Sequence, residues 1–320
     1  MVTPDALRLK RSLQLAGLVA ASALAVLGSV RISAGIQGSG LRSLSVVGTV
    51  TSVGDDITVD DDTYSISDAN VQIDGKPGNK SQLHPGDVVS LSAQTSADGS
   101  QASASAVTFN GSVEGPVSGL DTQSGSFFVL QQTVHVNSDT IFGAGISPSS
   151  LAGLQNGALV QVSGFANSAG ELVASRIDQG RSGFAQVVGA VQALDATRRT
   201  FRINSLTVDY SGAAVDGALT EGGAVAARGT TLGADGTLLA TQVEVLPVVR
   251  GAPNADGRIE GLITSFASSA YFEINGQPVA VDANTKLKLK QALGLDVHVK
   301  ATGTFDVNGV LVASKLHSYK

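Results

Sequence analysis

Phe272-Glu273-Ile274-Asn275-Gly276-Gln277-Pro278-Val279-Ala280-Val281 is the stretch that decides the fold. Phe272 and Ile274 alternate with a polar residue, Asn275-Gly276 is a tight-turn dipeptide, and Val279 and Val281 resume the alternation. A period of two puts one face of a strand in a core and the other in water, so these residues form a hairpin. The pattern is written three more times upstream. Ile57 and Val59 lead to Tyr64 and Ile66 across Asp60-Asp61-Asp62; Phe127 and Val129 lead to Val134 and Val136; Phe201 and Ile203 lead to Val208 and Tyr210.

Working outward, each hairpin follows a glycine set before β-forming residues: Val47-Gly48-Thr49-Val50, Glu114-Gly115-Pro116-Val117, Val188-Gly189-Ala190-Val191 and Glu260-Gly261-Leu262-Ile263. The spacings are 67, 74 and 72 residues, the signature of tandem copies. A third strand follows each hairpin, at Val88 to Leu91, Leu159 to Val162, Val225 to Ala227 and Val297 to Val299. A Gly turn (Asp98-Gly99, Ala169-Gly170, Asp235-Gly236, Asn308-Gly309) then leads to a closing strand. The closing strands read Ala104-Ser105-Ala106-Val107, Ala174-Ser175-Arg176-Ile177, Ala240-Thr241-Gln242-Val243 and Ala313-Ser314-Lys315-Leu316. Short strands at this spacing predict an all-β chain: four small β-barrels, OB-like in topology, or sandwiches. Closure of five strands removes the exposed edges that an open sheet would leave. The expected layout is a signal segment over 1–34, a linker over 35–44, and repeats over 45–110, 111–180, 181–250 and 251–320. Ser147 to Gln155 reads as a short helix or turn capping the second copy, and Val248 to Gly257 as a flexible linker.

The N-terminus reads as an export signal. Arg8, Lys10 and Arg11 precede an apolar run from Leu13 to Val30, and Ile32-Ser33-Ala34 supplies a small residue at a cleavage position after Ala34. The alternative is an uncleaved helix over residues 13–30, anchoring the protein in an inner membrane. The chain has 21 Lys and Arg and 27 Asp and Glu; losing residues 1–34 removes four of the former and Asp5, for a formal charge of −9. So acidic a chain, read as having no basic cluster and no Trp, is not expected to bind nucleic acid, because neutralising phosphates needs Lys and Arg. Cysteine is absent, which removes disulfides, thiol catalysis and thiolate metal sites. Aromatics are 4% of residues, so each core must be thin and rely on Val, Leu, Ile and a few Phe.

The second copy carries a family resemblance. Gly115-Pro116-Val117-Ser118, Val129-Leu130-Gln131-Gln132-Thr133-Val134-His135-Val136, Leu151-Ala152-Gly153-Leu154 and Val160-Gln161-Val162-Ser163-Gly164-Phe165 resemble the bacterial domain-of-unknown-function family 5666. Asn70-Val71-Gln72-Ile73-Asp74-Gly75 of the first copy is similar. The resemblance extends over 45–320 and implies exported proteins built of repeated β domains, with no activity implied. Relatives often carry a lipoprotein signal ending in a small residue and Cys; here Gly35 stands in the Cys position, so a lipid anchor is not available.

Chemistry-bearing residues are scattered. His135 and His298 fall in the polar phase of strands in different copies, which reads as a wet sheet face; His84 falls in a turn before Pro85-Gly86, and His317 lies near the C-terminus. None has an evident carboxylate partner in sequence. Asp55, Asp56, Asp60, Asp61 and Asp62 could offer oxygens to Ca²⁺ but lack the spacing of a calcium loop, so a solvated acidic turn is the expectation. No Gly-x-Ser-x-Gly elbow occurs, and the glycines sit between strands rather than before a helix, so no catalytic residue, cofactor site or metal site is assigned. The reading is a non-catalytic, exported protein of the cell envelope, periplasmic, secreted or at the cell surface. It is structural or interacting, with an envelope protein or a saccharide as partner, its modules forming a rod or scaffold. The alternative is a periplasmic binding module for a small ligand, ion or saccharide, which a pocket of converging aromatics would favour.

Overall fold

The computed structural model describes residues 41–96, 101–246 and 251–319; the signal segment lies outside them. Among the described residues all regular structure is β, apart from two single turns of 3₁₀ helix at Lys80–Gln82 and Leu151–Gly153, the second inside the stretch expected to cap the second copy. No helix among the described residues is long and apolar enough to cross a membrane.

Four modules occupy 41–109, 113–179, 185–245 and 256–318. In the first, Leu41–Val53 runs antiparallel to Val88–Ser96 along its first half and to Asp56–Val59 along its second, with a bulge between Val50 and Ser52 that bends it. Asp56–Val59 forms the hairpin with Asp62–Ser65. Asp62–Ser65 and its continuation Asn70–Ile73 run parallel to Ala102–Phe109, which closes the ring against Val88–Ser96. The result is a closed five-stranded barrel of OB-like connectivity, and the other three modules repeat it.

The alternation explains why each barrel closes. Ile57, Val59, Tyr64 and Ile66 are all buried, as are Phe127, Val129 and Val134, Phe201, Ile203, Val208 and Tyr210, and Phe272, Ile274 and Val279. Each fully buried large side chain contributes about 1.5–3 kcal/mol. The turns have the expected hand: Asn275 and Gly276, and equally Asp60 and Asp61, sit at positive φ.

The repeat glycines have a packing reason. A Cβ on Gly189 would stand 2.4 Å from Ile203 Cγ2, and one on Gly261 1.9 Å from Asn275 Nδ2. On Gly115 it would meet Leu130 at 2.9 Å, and on Gly48 Val59 at 3.0 Å. Each glycine therefore lets the end of the hairpin's first strand, or its turn, cross the module's opening strand at close range.

The modules do not form a rod. The first strand of module 1 pairs in parallel with the first strand of module 4, Asp256–Ser268, from Leu44 opposite Asp256 to Val47 opposite Ile259. Modules 2 and 3 join through Val113–Asp121 and Ala185–Ala190, with Gln186 opposite Glu114 and Val187 opposite Val113. The array thus folds back until its first and last members share a 12-stranded sheet, while the middle two share a 13-stranded one. One core runs through modules 2 and 3. The core of module 4 takes in Val47 and Val88 from module 1 and Phe165 from module 2. The expected flexible linker is corrected in part: residues 251–255 dock on module 4, where Gly251 lies so close to Phe305 that no Cβ would fit. Residues 247–250 lie outside the described set.

Candidate functional site

Closing the array creates a cavity of about 840 Å³ where modules 1, 2 and 4 meet. Its apolar lining includes Val50, Ile141, Phe165, Val173 and Leu262; its polar lining includes Asp60, His135, Glu171, Glu260, His298 and Tyr319. A concave space of this size, mostly apolar with a few convergent polar groups, is the form that small-molecule sites take.

Glu260 is the polar anchor. It stands immediately before Gly261 and is 4% exposed. One carboxylate oxygen accepts from the backbone N–H of Thr49 in module 1 at 2.6 Å, and the other lies 2.9 Å from His298 Nε2 and accepts from Thr49 Oγ1 at 3.1 Å. It thereby fixes module 1 to module 4 and orients an imidazole at the cavity. His298 packs against Tyr319 with centroids 4.5 Å apart and planes tilted by 31°, and lies 5.5 Å from the ring of Phe165, so three rings from two modules converge on one wall.

On the module 2 side, His135 Nε2 lies 2.8 Å from Glu171 Oε2, with Asn167 Nδ2 also donating to that oxygen at 3.2 Å. The hydrogen bond with His135 is the main cause holding Glu171 below the usual carboxylate range. From module 1, Asp60 accepts from the Tyr319 hydroxyl and pairs with Lys300 Nζ at 2.9 Å. Burial first, and then the Glu260 carboxylate, push Asp60 up, while burial and the hydrogen bond to Asp60 push Tyr319 up. Lys300 stays above the usual ammonium range: burial opposes its charge, but hydrogen bonds and attraction to Asp60 and Asp62 outweigh that.

Three sequence expectations are corrected. His135 and His298 do not sit on an open sheet face: with side chains 39% and 32% exposed, they line a cavity toward which the back-folding of the array turns the outer faces of modules 2 and 4. Both have carboxylate partners, invisible in sequence because Glu171 and Glu260 come from neighbouring segments 36 and 38 residues away. The acidic hairpin of module 1 is not a free solvated turn, since Asp60 and Asp62 dock on Lys300, and Asp62 also lies 3.4 Å from Arg258. Asp55, at its outer end, pairs with Lys80 at 3.1 Å.

A second polar junction joins modules 1, 2 and 3. Asp74, 2% exposed, accepts from Gly111 N at 2.9 Å, Gln161 Nε2 at 3.0 Å, Gln186 Nε2 at 2.8 Å and Arg181 Nη2 at 2.6 Å. Arg181 also donates to Glu114, the counterpart of Glu260 before Gly115. Sequence reading passed over Glu114 and Glu260; the available signal was a Glu at a place where the other two copies have Val47 and Val188.

His84, Asp87 and Asp178 gather within 4.8 Å of one another, as a metal site would require. A cation is already there in covalent form: Arg176 Nη2 donates to Asp178 Oδ1 at 2.7 Å, and its Nε lies 3.9 Å from Asp87. Burial pushes Asp87 up to about 7 despite that guanidinium and the His84 backbone N–H it accepts at 2.8 Å.

Around the cavity, among the described residues, neither His135 nor His298 is hydrogen-bonded to a hydroxyl, so no nucleophile–base relay is assembled. The arrangement offers acceptors, oriented imidazoles and a ring wall.

Among solved structures, drosophila Unr CSD456 is similar at 14% identity over 65% of this chain and 97% of that chain; with a TM-score of 0.16 the likeness carries no structural argument. No curated protein matches. The family model described as Domain of unknown function (DUF5666) matches four times, over residues 47–107, 114–178, 188–244 and 260–317. Four matched barrels account for most of the chain, which belongs to the DUF5666 family.

Proposed function

We propose that this chain is a non-catalytic interaction protein of an exported compartment, whose four barrels act as a frame for one binding cavity. The observation that carries the proposal is the 840 Å³ cavity built by three modules, which exists only because the array closes. Its lining favours the binding-module reading over a purely mechanical scaffold. Phe165, His298 and Tyr319 supply a ring wall, and Asp60, Glu171 and Glu260 supply acceptors, a combination suited to a small saccharide or an amine. The export reading rests on the basic residues and apolar run over 8–30 and is carried forward as part of the proposal.

A thermal-shift screen with monosaccharides and disaccharides in one arm and diamines and polyamines in the other tests it. The expected result is a saturable rise in melting temperature with one class, lost in Phe165→Ala and His298→Asn variants that remain folded. No shift with either class, or a shift that both variants retain, counts against the cavity as the site.

A further inference from the structure

Among the described residues, the acidic chain carries a concentrated positive face on module 4, outside the cavity. A groove of about 430 Å³ is lined by Arg258, Lys286, Lys288, Lys300, Lys315 and His317, with Asp62 the single carboxylate in its wall. That carboxylate is already engaged by Lys300 at 3.0 Å and Arg258 at 3.4 Å. Lys286, Lys288 and Lys315 are exposed and have no ion pair among the described residues.

Strand register sets the charges side by side. Gln277–Lys288 runs parallel to Leu311–Ser318 with Lys286 opposite Lys315 and Lys288 opposite His317. His298–Phe305 continues the rows, with Lys300 opposite His317 and Thr302 opposite Lys315. Like charges directly opposite one another destabilise a sheet. Burial, and then the Lys288, Lys290 and Lys300 ammoniums, hold His317 below the usual imidazole range, and its buried Nε2 has no hydrogen-bond partner. The face is therefore left with unspent positive charge and an unused polar atom, although the chain as a whole has a formal charge of −6.

We infer that this groove binds a compact, multiply charged oxyanion of the phosphate class. Neighbouring strands lie about 4.8 Å apart and alternate residues of one strand about 6.8 Å apart. The three unpaired ammoniums on that lattice, Lys286, Lys288 and Lys315, match two adjacent phosphoryl groups rather than a long polymer. Lysine ammoniums suit such a ligand as point charges, and the Thr302 hydroxyl supplies a neutral contact. The phosphate could be free in solution or the headgroup of a lipid; Leu287, 54% exposed between Lys286 and Lys288, gives the second source an apolar foothold.

The test compares the full chain with Lys286→Gln/Lys315→Gln and with a control of equal charge change, Lys76→Gln/Arg202→Gln, at exposed positions of other modules. Calorimetric titration with tripolyphosphate should give saturable binding to wild type and control, weakened at least tenfold in the groove variant. Sedimentation with phosphatidylglycerol vesicles, against phosphatidylcholine vesicles, identifies the source: a wild-type excess over the groove variant that tripolyphosphate competes away assigns a lipid headgroup. Tripolyphosphate binding without that excess assigns a free anion. Only differences between variants are read, because residues 13–30 are themselves apolar. The groove variant should melt no lower than wild type, since it relieves repulsion. Equal binding by all three proteins, or no binding by wild type in either arm, overturns the inference.

Discussion

Gln186 of module 3 donates to Asp74 of module 1 at 2.8 Å across 112 residues of chain, and both side chains are buried. The same carboxylate takes donors from module 2 and from the connecting Gly111, so one acidic residue is shared by three barrels.

Replacing Asp74 should therefore loosen the assembly more than the barrel that carries it. Asp74→Ala is expected to cost about 3 kcal/mol, because it leaves Gln186 and Gly111 donors buried without an acceptor; the half-exposed Arg181 can turn to water and adds little. Chemical denaturation reads the cost, and a transition that splits in two would mark separation of the module pairs.

Gly189→Ala should destabilise by about 2–3 kcal/mol, since a methyl group 2.4 Å from Ile203 Cγ2 forces the hairpin off its own first strand. Pairing it with Ile203→Ala, which removes Cγ2, should cost less than the sum of the two single changes. A double-mutant cycle in urea checks it, and additive costs would separate the glycine from the hairpin.

Phe201→Ala and Phe272→Ala should each cost about 3–5 kcal/mol, both rings being about 1% exposed in their barrels. Arg202→Ala, on the wet face beside Phe201, should stay within about 0.5 kcal/mol. Denaturant midpoints of the three variants measure the contrast directly.

Asp87 makes stability depend on pH in a direction unusual for a carboxylate. Its folded value of about 7 lies above the ordinary 3.8, so between those limits the folded state keeps a proton that the unfolded chain has lost. Stability from this group is highest below pH 4, falls as pH rises to about 7, and is flat above; the full span is on the order of 4 kcal/mol. Asp87→Asn should flatten that segment of the profile and raise stability at neutral pH. Urea titrations at several pH values check both.

Much of the fold was legible because period-two alternation reports which face of a strand is buried. The four hairpins, from Ile57 and Val59 to Val279, follow it. Alternation says nothing about which strand edge meets which, so the ladder from Leu44 to Val47 against Asp256 to Ile259 could not be read, and a rod was the natural expectation. The cavity followed that blind spot, because His135, Glu260 and Tyr319 converge only after the fold-back. The positive groove was half visible: Lys286-Leu287-Lys288-Leu289-Lys290 alternates in plain sight, whereas Lys300 and Lys315 join it through strand pairing.

The parallel ladder between the first and last modules also governs how such a chain could change in evolution. Open tandem arrays can gain or lose a copy because each member leans only on its neighbours. Here Leu44 to Val47 has Val88–Ser96 on one edge and Asp256–Ser268 on the other, so its hydrogen-bonding valence is full. A copy inserted in the middle would pull those partners apart, and a copy removed would leave one of them facing water. The fold keeps count: the first and fourth copies each hold the other's opening strand.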